Sequence, residues 1–239
     1  MAPVVGVLHN LRVPFTGHAG VVLREAGVEL DERRLLEGEP LPALGEIDGL
    51  LVLGGDQSVR DIEAEPLLTA EAALMREAVE AGVPLFGVCL GAQLLAHALG
   101  GSVARLPRRM VEWAPIVPLD AAAGDPVAGA LPAGTMALHW NEDGFEPPAG
   151  AVELLARVSE GAEAFRYGDS AWGVQFHPEV DPEGLESWYA EGGRELAEAG
   201  VAEPAARAAD AECLPGQLAL SVALFGGFAR VVGSRALAA

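Results

Sequence analysis

Short apolar runs that alternate with helical segments constrain this chain more than any other feature of its sequence. The runs at 4–10 (VVGVLHN), 47–55 (IDGLLVLGG) and 83–89 (VPLFGVC) have the length and composition of buried strands, while 20–26 and 70–82 have helical spacing and stop at a glycine. Strands and helices in this order form a parallel sheet that is covered on both faces. The sequence therefore predicts an α/β fold with a doubly wound, mainly parallel sheet and helices on both faces.

The rest of the chain adds an insert and a helical end to this pattern. The segment at 28–36 alternates weakly, as an edge strand does, and the proline-rich segment from 102 to about 150 predicts a small antiparallel β insert. AWGVQF at 171–176 is a further buried strand, and terminal helices follow from about 181. We expect residues 1–239 to form a single domain.

The charge and the apolar segments of the chain exclude several classes of partner. There are 35 acidic residues against 15 lysines and arginines, a formal net charge of −20, and no basic stripe for nucleic acid to bind. The chain begins without the features of a secretory signal, so we expect a cytoplasmic protein. Its longest late apolar stretch, at 218–229, is interrupted by Ser221, Gly226 and Gly227. This stretch is too short to cross a bilayer and predicts a packed terminal helix, with no membrane partner.

One of the two cysteines occupies a position that favours chemistry. Cys89 and Cys213 are too far apart in sequence to suggest a disulfide framework. Cys89 lies in a G-x-C-x-G pattern with Gly87 and Gly91, where a strand ends and a helix begins. Small residues at these positions relieve crowding in the strained elbow that carries a nucleophile, and a helix N-terminus favours the thiolate form of a cysteine. The alternative is that Cys89 is a small buried hydrophobic residue.

Other groups at the same predicted edge of the sheet complete a catalytic pattern. The amide of Leu90 and an amide from the glycine pair Gly54–Gly55, which ends the preceding strand, are candidates for an oxyanion hole. A cysteine nucleophile generally needs a histidine, which is itself oriented by a third group. His177 ends the strand at 171–176, and Glu179 follows two residues later.

Four other histidines compete for the role of base. His9 also ends a strand, but Glu25 and Glu29, its nearest carboxylates, are far along the chain. This favours a place in the wall of the crevice over a catalytic role. His18 and His97 are better explained as structural or solvated residues.

The fourth competitor, His139, lies in the turn-rich insert. Glu142 and Asp143 are close to it in sequence, so His139 either approaches the site or is a satisfied polar residue at a strand end. The three residues match no metal-ligand spacing, and we therefore expect no metal.

Two motifs in this order carry a resemblance to a known family. GVCLGAQ at 87–93, followed by GVQFHPE at 173–179, resembles the class I glutamine amidotransferases, in the branch of free-standing GMP-synthase-like proteins. The resemblance spans most of the chain and implies a flavodoxin-like arrangement of the sheet. Four further segments are similar to parts of the family pattern: HNLRVPFTGHAG at 9–20, LVLGGDQSVRD at 51–61, VEWAPI at 111–116 and HWNEDGF at 139–145.

The resemblance also implies roles for particular residues. Cys89 would be the nucleophile, His177 the general base and acid, and Glu179 the carboxylate that orients it. Gly55 and Leu90 would form the oxyanion hole. The implied reaction is attack on the side-chain carboxamide of glutamine, release of ammonia and hydrolysis of a γ-glutamyl thioester, without a cofactor. We expect substrate contacts from Gly54, Gln93 and His139.

The sequence departs from the family pattern at places that bear on the substrate. GGDQSV stands where relatives often have a proline and a methionine after the glycines, and Asn141 stands where relatives often have a histidine or a serine. No synthase domain follows in this sequence, so we expect ammonia to go to a separate synthase subunit or to solvent.

Three functions remain open at this point. The first is a glutamine amidotransferase or glutaminase that takes L-glutamine and serves an unidentified acceptor enzyme. The second is a γ-glutamyl peptidase or hydrolase that uses the same triad on another γ-glutamyl compound. The third is a non-catalytic regulatory module that retains the fold. Arg105, Arg108 and Arg109 would either meet an anionic substrate or partner or belong to a solvated turn.

Overall fold

The computed structural model describes residues 1–132, 134–159 and 161–237. The described residues form nine strands and six α-helices. The strands are β1 (Val4–Asn10), β2 (Glu29–Arg34), β3 (Gly49–Gly55), β4 (Leu85–Val88), β5 (Ser102–Pro115), β6 (Met136–Glu146), β7 (Val152–Glu153), β8 (Ala164–Tyr167) and β9 (Ala171–Val174). The helices are α1 (Gly17–Glu25), α2 (Pro66–Glu80), α3 (Leu90–Ala98), α4 (Pro182–Glu191), α5 (Gly193–Ala199) and α6 (Glu203–Ala236).

Seven of the strands form one sheet in the order β2-β1-β3-β4-β9-β8-β7. The first five pair in parallel, and β8 pairs antiparallel with both β9 and β7. The predicted mainly parallel sheet is confirmed, and the weakly alternating segment at 28–36 forms the edge strand β2. The order of the first four strands is flavodoxin-like, an arrangement in which ligands bind beyond the carboxyl ends of the strands.

Helices cover both faces of this sheet, which explains why its central strands are continuous apolar runs. α2 and α3 cover one face and share a core with β3 and β4. α1 and α6 cover the other face. There Phe86 of β4 packs against Phe225 and Phe228 of α6, with ring centroids 5.3 and 5.7 Å apart.

The predicted insert is a hairpin of β5 and β6, whose pairing shifts register between Arg105 and Met110. Helices α4 and α5 contribute with it to a third apolar cluster, which includes Val111, Leu138, Leu185 and Leu196. The backbone N–H of His177 donates a 2.9 Å hydrogen bond to the carbonyl of Leu138. The hairpin therefore adjoins the carboxyl end of β9.

The last helix, α6, has 34 residues and is much longer than the apolar stretch at 218–229 that it contains. Within the part of the chain that the structure describes, it is the one helix whose length and composition would allow it to cross a membrane. Of its most apolar window, 56% is buried inside the protein. Leu220, Leu224 and Phe228 pack in the core beneath the sheet, which confirms the predicted packed terminal helix.

Candidate active site

Cys89 has the strained backbone that its glycine neighbours predict. Its φ is +50° and its ψ is −107°, and it is the only non-glycine residue with positive φ in the described ranges. A Cβ built on Gly87 would lie 2.6 Å from the backbone of Gly91, and one built on Gly91 would lie 2.1 Å from the carbonyl oxygen of Val52. Side chains at these two positions would therefore force the elbow open. Strain of this kind is typical of functional positions.

The carboxyl ends of β1, β3 and β4 and the segment after β9 line one cavity of about 340 Å³. This is within the usual range for small-molecule sites. Cys89 lies in its wall, and only 6% of its surface is exposed. Of the eight predicted site residues, seven line the cavity: Gly54, Gly55, Cys89, Leu90, Gln93, His177 and Glu179.

His177 and Glu179 form a buried pair beside Cys89. His177 Nδ1 lies 2.7 Å from Glu179 Oε1, and both side chains are almost fully buried. Trp188 of α4 packs edge-on against the imidazole, with the ring centroids 4.7 Å apart. The other ring nitrogen, Nε2, is buried and has no hydrogen-bond partner among the described residues, so it is available to a reacting group.

Charges around His177 favour its protonated form. Burial alone would lower the pKa of His177, but the Glu179 carboxylate and the Cys89 thiolate outweigh burial and raise this pKa to about 10. The site therefore favours the imidazolium form of His177 at neutral pH. Gly54 leaves room for it, because a Cβ built there would lie 3.0 Å from His177 Cε1 and 3.7 Å from Cys89 Cβ.

Two glutamines connect Cys89 to the insert. Gln175 Nε2 lies 3.6 Å from Cys89 Sγ, and Gln93 Nε2 lies 3.2 Å from Gln175 Oε1 and 3.0 Å from the carbonyl oxygen of Asp143. Sequence reasoning singled out Gln93 but missed Gln175 and Trp188. The position of Gln175, directly after β9, was a usable signal, because the carboxyl ends of the parallel strands meet at this edge of the sheet.

The backbone groups proposed for the oxyanion hole lie on either side of the cysteine. Leu90 is the first residue of α3, where backbone N–H groups have no acceptor within the helix. Gly55 ends β3 and pairs with Asn10, whose Nδ2 donates a 2.9 Å hydrogen bond to Glu71 Oε2. Burial raises the pKa of Glu71 to about 7, and the hydrogen bond from Asn10 opposes this increase only in part.

Comparison with known proteins shows the family of this chain. The family model for glutamine amidotransferase class-I matches residues 22–191. The chain belongs to this family. It is 32% identical to glutamine amidotransferase-like protein YfeJ of Salmonella typhimurium over 203 residues, which cover 79% of this chain and 84% of that protein.

Other relatives differ in their reactions. The chain is 36% identical to the GMP synthase of Thermomicrobium roseum over 55% of this chain but only 23% of the synthase. It is 29% identical to the gamma-glutamyl-L-1-hydroxyisopropylamide hydrolase of a Pseudomonas species, over 67% of this chain and 56% of that one.

A solved structure supports the fold. The glutamine amidotransferase of Thermotoga maritima superposes with a TM-score of 0.85 over 97% of this chain and 99% of that one, at 24% identity. The predicted family and fold class are thus confirmed together.

The structure does not bring His139, the eighth predicted site residue, to the cavity. His139 is fully buried, and its Nε2 lies 2.6 Å from Glu163 Oε2, which makes it a satisfied polar residue inside the insert. Its strand neighbours Trp140 and Asn141 line the cavity instead. The expected substrate contact from His139 is therefore wrong in this geometry.

His9 lies in the cavity wall, as sequence reasoning favoured, but its carboxylate partner was missed. Its Nε2 lies 3.0 Å from Glu32 Oε2 on the neighbouring strand β2. Burial lowers the pKa of His9 more than Glu32 raises it. Parallel pairing of β1 and β2 brings the two residues together across a gap of 23 positions in sequence.

The three arginines of the insert fall into two groups. Arg105 and Arg108 are largely exposed and pair with Glu142 and Glu112. They are solvated, as expected, but they lie in the irregular part of strand β5 and not in a turn. Arg109 is only 14% exposed, lines the cavity and pairs with three carboxylates. These carboxylates are Glu142, Glu195 and Glu198.

Proposed function

We propose that this protein hydrolyses the side-chain amide of L-glutamine through a thioester on Cys89. The observation that carries the proposal is the strained Cys89 elbow beside the buried His177–Glu179 pair in one cavity. A nucleophile, a base and a group that orients the base form the minimal set for cysteine-dependent acyl transfer. Membership of the family supports the same chemistry.

The reaction follows from the positions of these groups. The Cys89 thiolate attacks the amide carbon, and the backbone N–H groups of Leu90 and Gly55 stabilise the oxyanion that develops on the amide oxygen. His177 gives its proton to the leaving nitrogen, so ammonia departs and the γ-glutamyl thioester remains. His177 then takes a proton from water, which attacks the thioester. The Cys89 thiolate leaves and His177 keeps the proton, which restores the starting imidazolium. Glutamate is released and the enzyme is restored.

Gln93 and Gly54 are the proposed substrate contacts that the geometry supports. Both line the cavity, and Gln93 is held in place by Gln175 and the carbonyl of Asp143. Because the Nε2 of Gln93 is already used in these two bonds, its remaining polar atom, Oε1, is the one we expect to accept a hydrogen bond from substrate.

We also propose that a separate synthase subunit, or solvent, receives the ammonia. The relative from Thermomicrobium roseum carries the matched region as a minor part of a synthase. The test is ammonia release from L-glutamine by the purified protein, with Cys89→Ala as control. Absence of glutamine hydrolysis and of a covalent adduct with a thiol-directed glutamine analogue would refute the proposal and favour the regulatory module.

A second candidate function is hydrolysis of larger γ-glutamyl amides. Phe15, Trp140 and Trp188 give the cavity an aromatic wall beside His177, more apolar surface than a leaving ammonia molecule requires. The matching hydrolase from Pseudomonas acts on a γ-glutamyl amide with an alkyl substituent. Comparing kcat/KM for glutamine and for a γ-glutamyl alkylamide separates the two. A ratio favouring the alkylamide by about tenfold or more supports the second candidate.

A further inference from the structure

Three consecutive backbone carbonyls of the catalytic segment accept hydrogen bonds from helices at the two ends of the chain. Gln217 Nε2 donates to the carbonyl oxygen of His177 at 2.5 Å, and Ser221 Oγ donates to that of Pro178. The backbone N–H of His18 donates to the carbonyl oxygen of Glu179 at 2.8 Å. The backbone between the base and the carboxylate is thus held by α6 and α1.

Burial of the polar side chains of Gln217 and Ser221 on α6 is energetically unfavourable in itself. Gln217 and Ser221 are fully buried, one turn apart, on the face of α6 that otherwise carries Leu220, Leu224 and Phe228. Burial of an amide or hydroxyl in apolar surroundings is unfavourable unless it gains a hydrogen bond. Both donors are used on adjacent residues of the catalytic segment, and Gln217 Oε1 has no partner within the described residues.

These contacts come from outside the region that defines the family match. The family model matches residues 22–191, whereas His18 precedes this region and Gln217 and Ser221 follow it. Pro178 has no backbone N–H, so the segment cannot secure itself through a regular strand or helix ladder at this residue. External donors are the available means of fixing it.

We propose that Gln217 and Ser221 are positioning residues that hold the His177–Glu179 pair in register with Cys89. Their role in turnover rests on the proposed function, but their effect on the Cys89–His177 pair does not. Their hydrogen bonds go to backbone carbonyls of the segment, and neither residue lines the cavity, so they act through the geometry of His177 and not on the substrate. A displacement of about 1 Å at such a site costs on the order of a hundredfold in rate.

The test uses Gln217→Met, Ser221→Ala and the double variant in the full chain. Leu218→Gln and Val222→Ala are matched controls, because these neighbours on the same helix are 46% and 50% exposed. The first measurement is kcat and KM for the amide substrate. The second is the rate of alkylation of Cys89 by iodoacetamide from pH 5 to 9, read by mass spectrometry, with Cys213 as internal reference.

We expect the double variant to lose about tenfold or more in kcat with KM changed less than about threefold, and the controls to match the wild type. Alkylation of Cys89 near pH 6 should slow at least about fivefold, because a displaced imidazolium supports the thiolate less well, while Cys213 is unaffected. In the Glu179→Gln background, the two α6 substitutions should lower kcat by less than about a further threefold, since the carboxylate that they help to position is already missing.

A lower melting temperature with unchanged kcat and unchanged Cys89 alkylation would overturn the proposal. It would also be overturned if the loss of kcat in the double variant were as large in the Glu179→Gln background as in the wild type. If the wild type hydrolyses no amide, the proposed function fails, and the alkylation profile alone still decides the positioning role. Ser221→Ala removes one oxygen and places a good helix former in α6, so this variant decides the matter if the others do not fold.

Discussion

Glu71 accepts a hydrogen bond from Asn10 at 2.9 Å, and neither side chain has any exposed surface. Asn10 lies opposite Gly55 at the carboxyl end of the sheet and lines the cavity, so this pair adjoins the strand end that carries one of the proposed oxyanion-hole residues. Glu71 Oε1 and Asn10 Oδ1 have no other partner in the part of the chain that the structure describes. In its neutral form, Glu71 carries a proton on its carboxyl group, which supplies the hydrogen-bond donor that is missing between these two oxygens. This agrees with the raised pKa of Glu71.

This pair predicts a pH-dependent effect of Glu71→Gln on stability. The pKa of Glu71 rises from 4.5 to about 7 on folding, so the folded state binds the proton more tightly and the free energy of unfolding falls as pH rises through this window. A shift of this size corresponds to about 3 kcal/mol. The amide introduced by this substitution does not titrate, so the variant should gain up to about 3 kcal/mol on the wild type at pH 8 and almost nothing near pH 4. Urea unfolding at several pH values measures this gain, and a difference that does not vary with pH would contradict it.

The strain at Cys89 predicts the order of stability of two inactive variants. Cys89 is the N-cap of α3, a position where glycine is already better than alanine, and at a φ of +50° glycine also avoids the steric cost of a Cβ. Cys89→Gly should therefore unfold at higher denaturant than Cys89→Ala, by about 1 kcal/mol, and neither should turn over substrate. Melting or urea curves of the two proteins give the comparison. Alanine at or above glycine would mean that the elbow is not strained.

The three residues of the proposed triad could be predicted to lie together because their positions depend on strand ends. Parallel strands bring their carboxyl ends to one edge, so Cys89 and His177 had to lie near each other once both were assigned to strand ends. Glu179 could be added because it comes directly after Pro178, two residues beyond His177. None of these inferences required knowledge of a side-chain contact.

The residues that sequence reasoning misplaced or missed depend on long-range packing. His139 was left open because its side in the bulged hairpin depends on register, and its partner Glu163 comes from another part of the chain. Gln217 and Ser221 resemble polar interruptions of an apolar helix until α6 is placed against the catalytic segment. Local sequence patterns do not show which elements pack together when those elements are far apart in sequence.

Glu179→Gln should narrow the pH range of activity from the alkaline side. The Glu179 carboxylate is a principal cause of the raised pKa of His177, so its removal lowers that pKa and the imidazolium is lost at lower pH. Because the imidazolium protonates the leaving nitrogen, the alkaline limb of the kcat profile should move to lower pH. The maximal kcat should fall by about a hundredfold or more. An alkaline limb that stays in place would show that Glu179 does not control the protonation of His177.

Arg109 should contribute far more to stability than its neighbour Arg108. Arg109 is mostly buried and binds carboxylates from both the hairpin and α5, so Arg109→Met leaves Glu142, Glu195 and Glu198 close together without their shared cation. We expect a loss of about 2 kcal/mol in the free energy of unfolding, partly recovered in high salt as the carboxylates are screened. Arg108→Met, the control, removes one exposed ion pair and should cost less than about 1 kcal/mol. Because Arg109 also lines the cavity, KM should rise in its variant and not in the control. Equal losses of stability in the two variants would show that the three-carboxylate contact does not hold α5 to the hairpin.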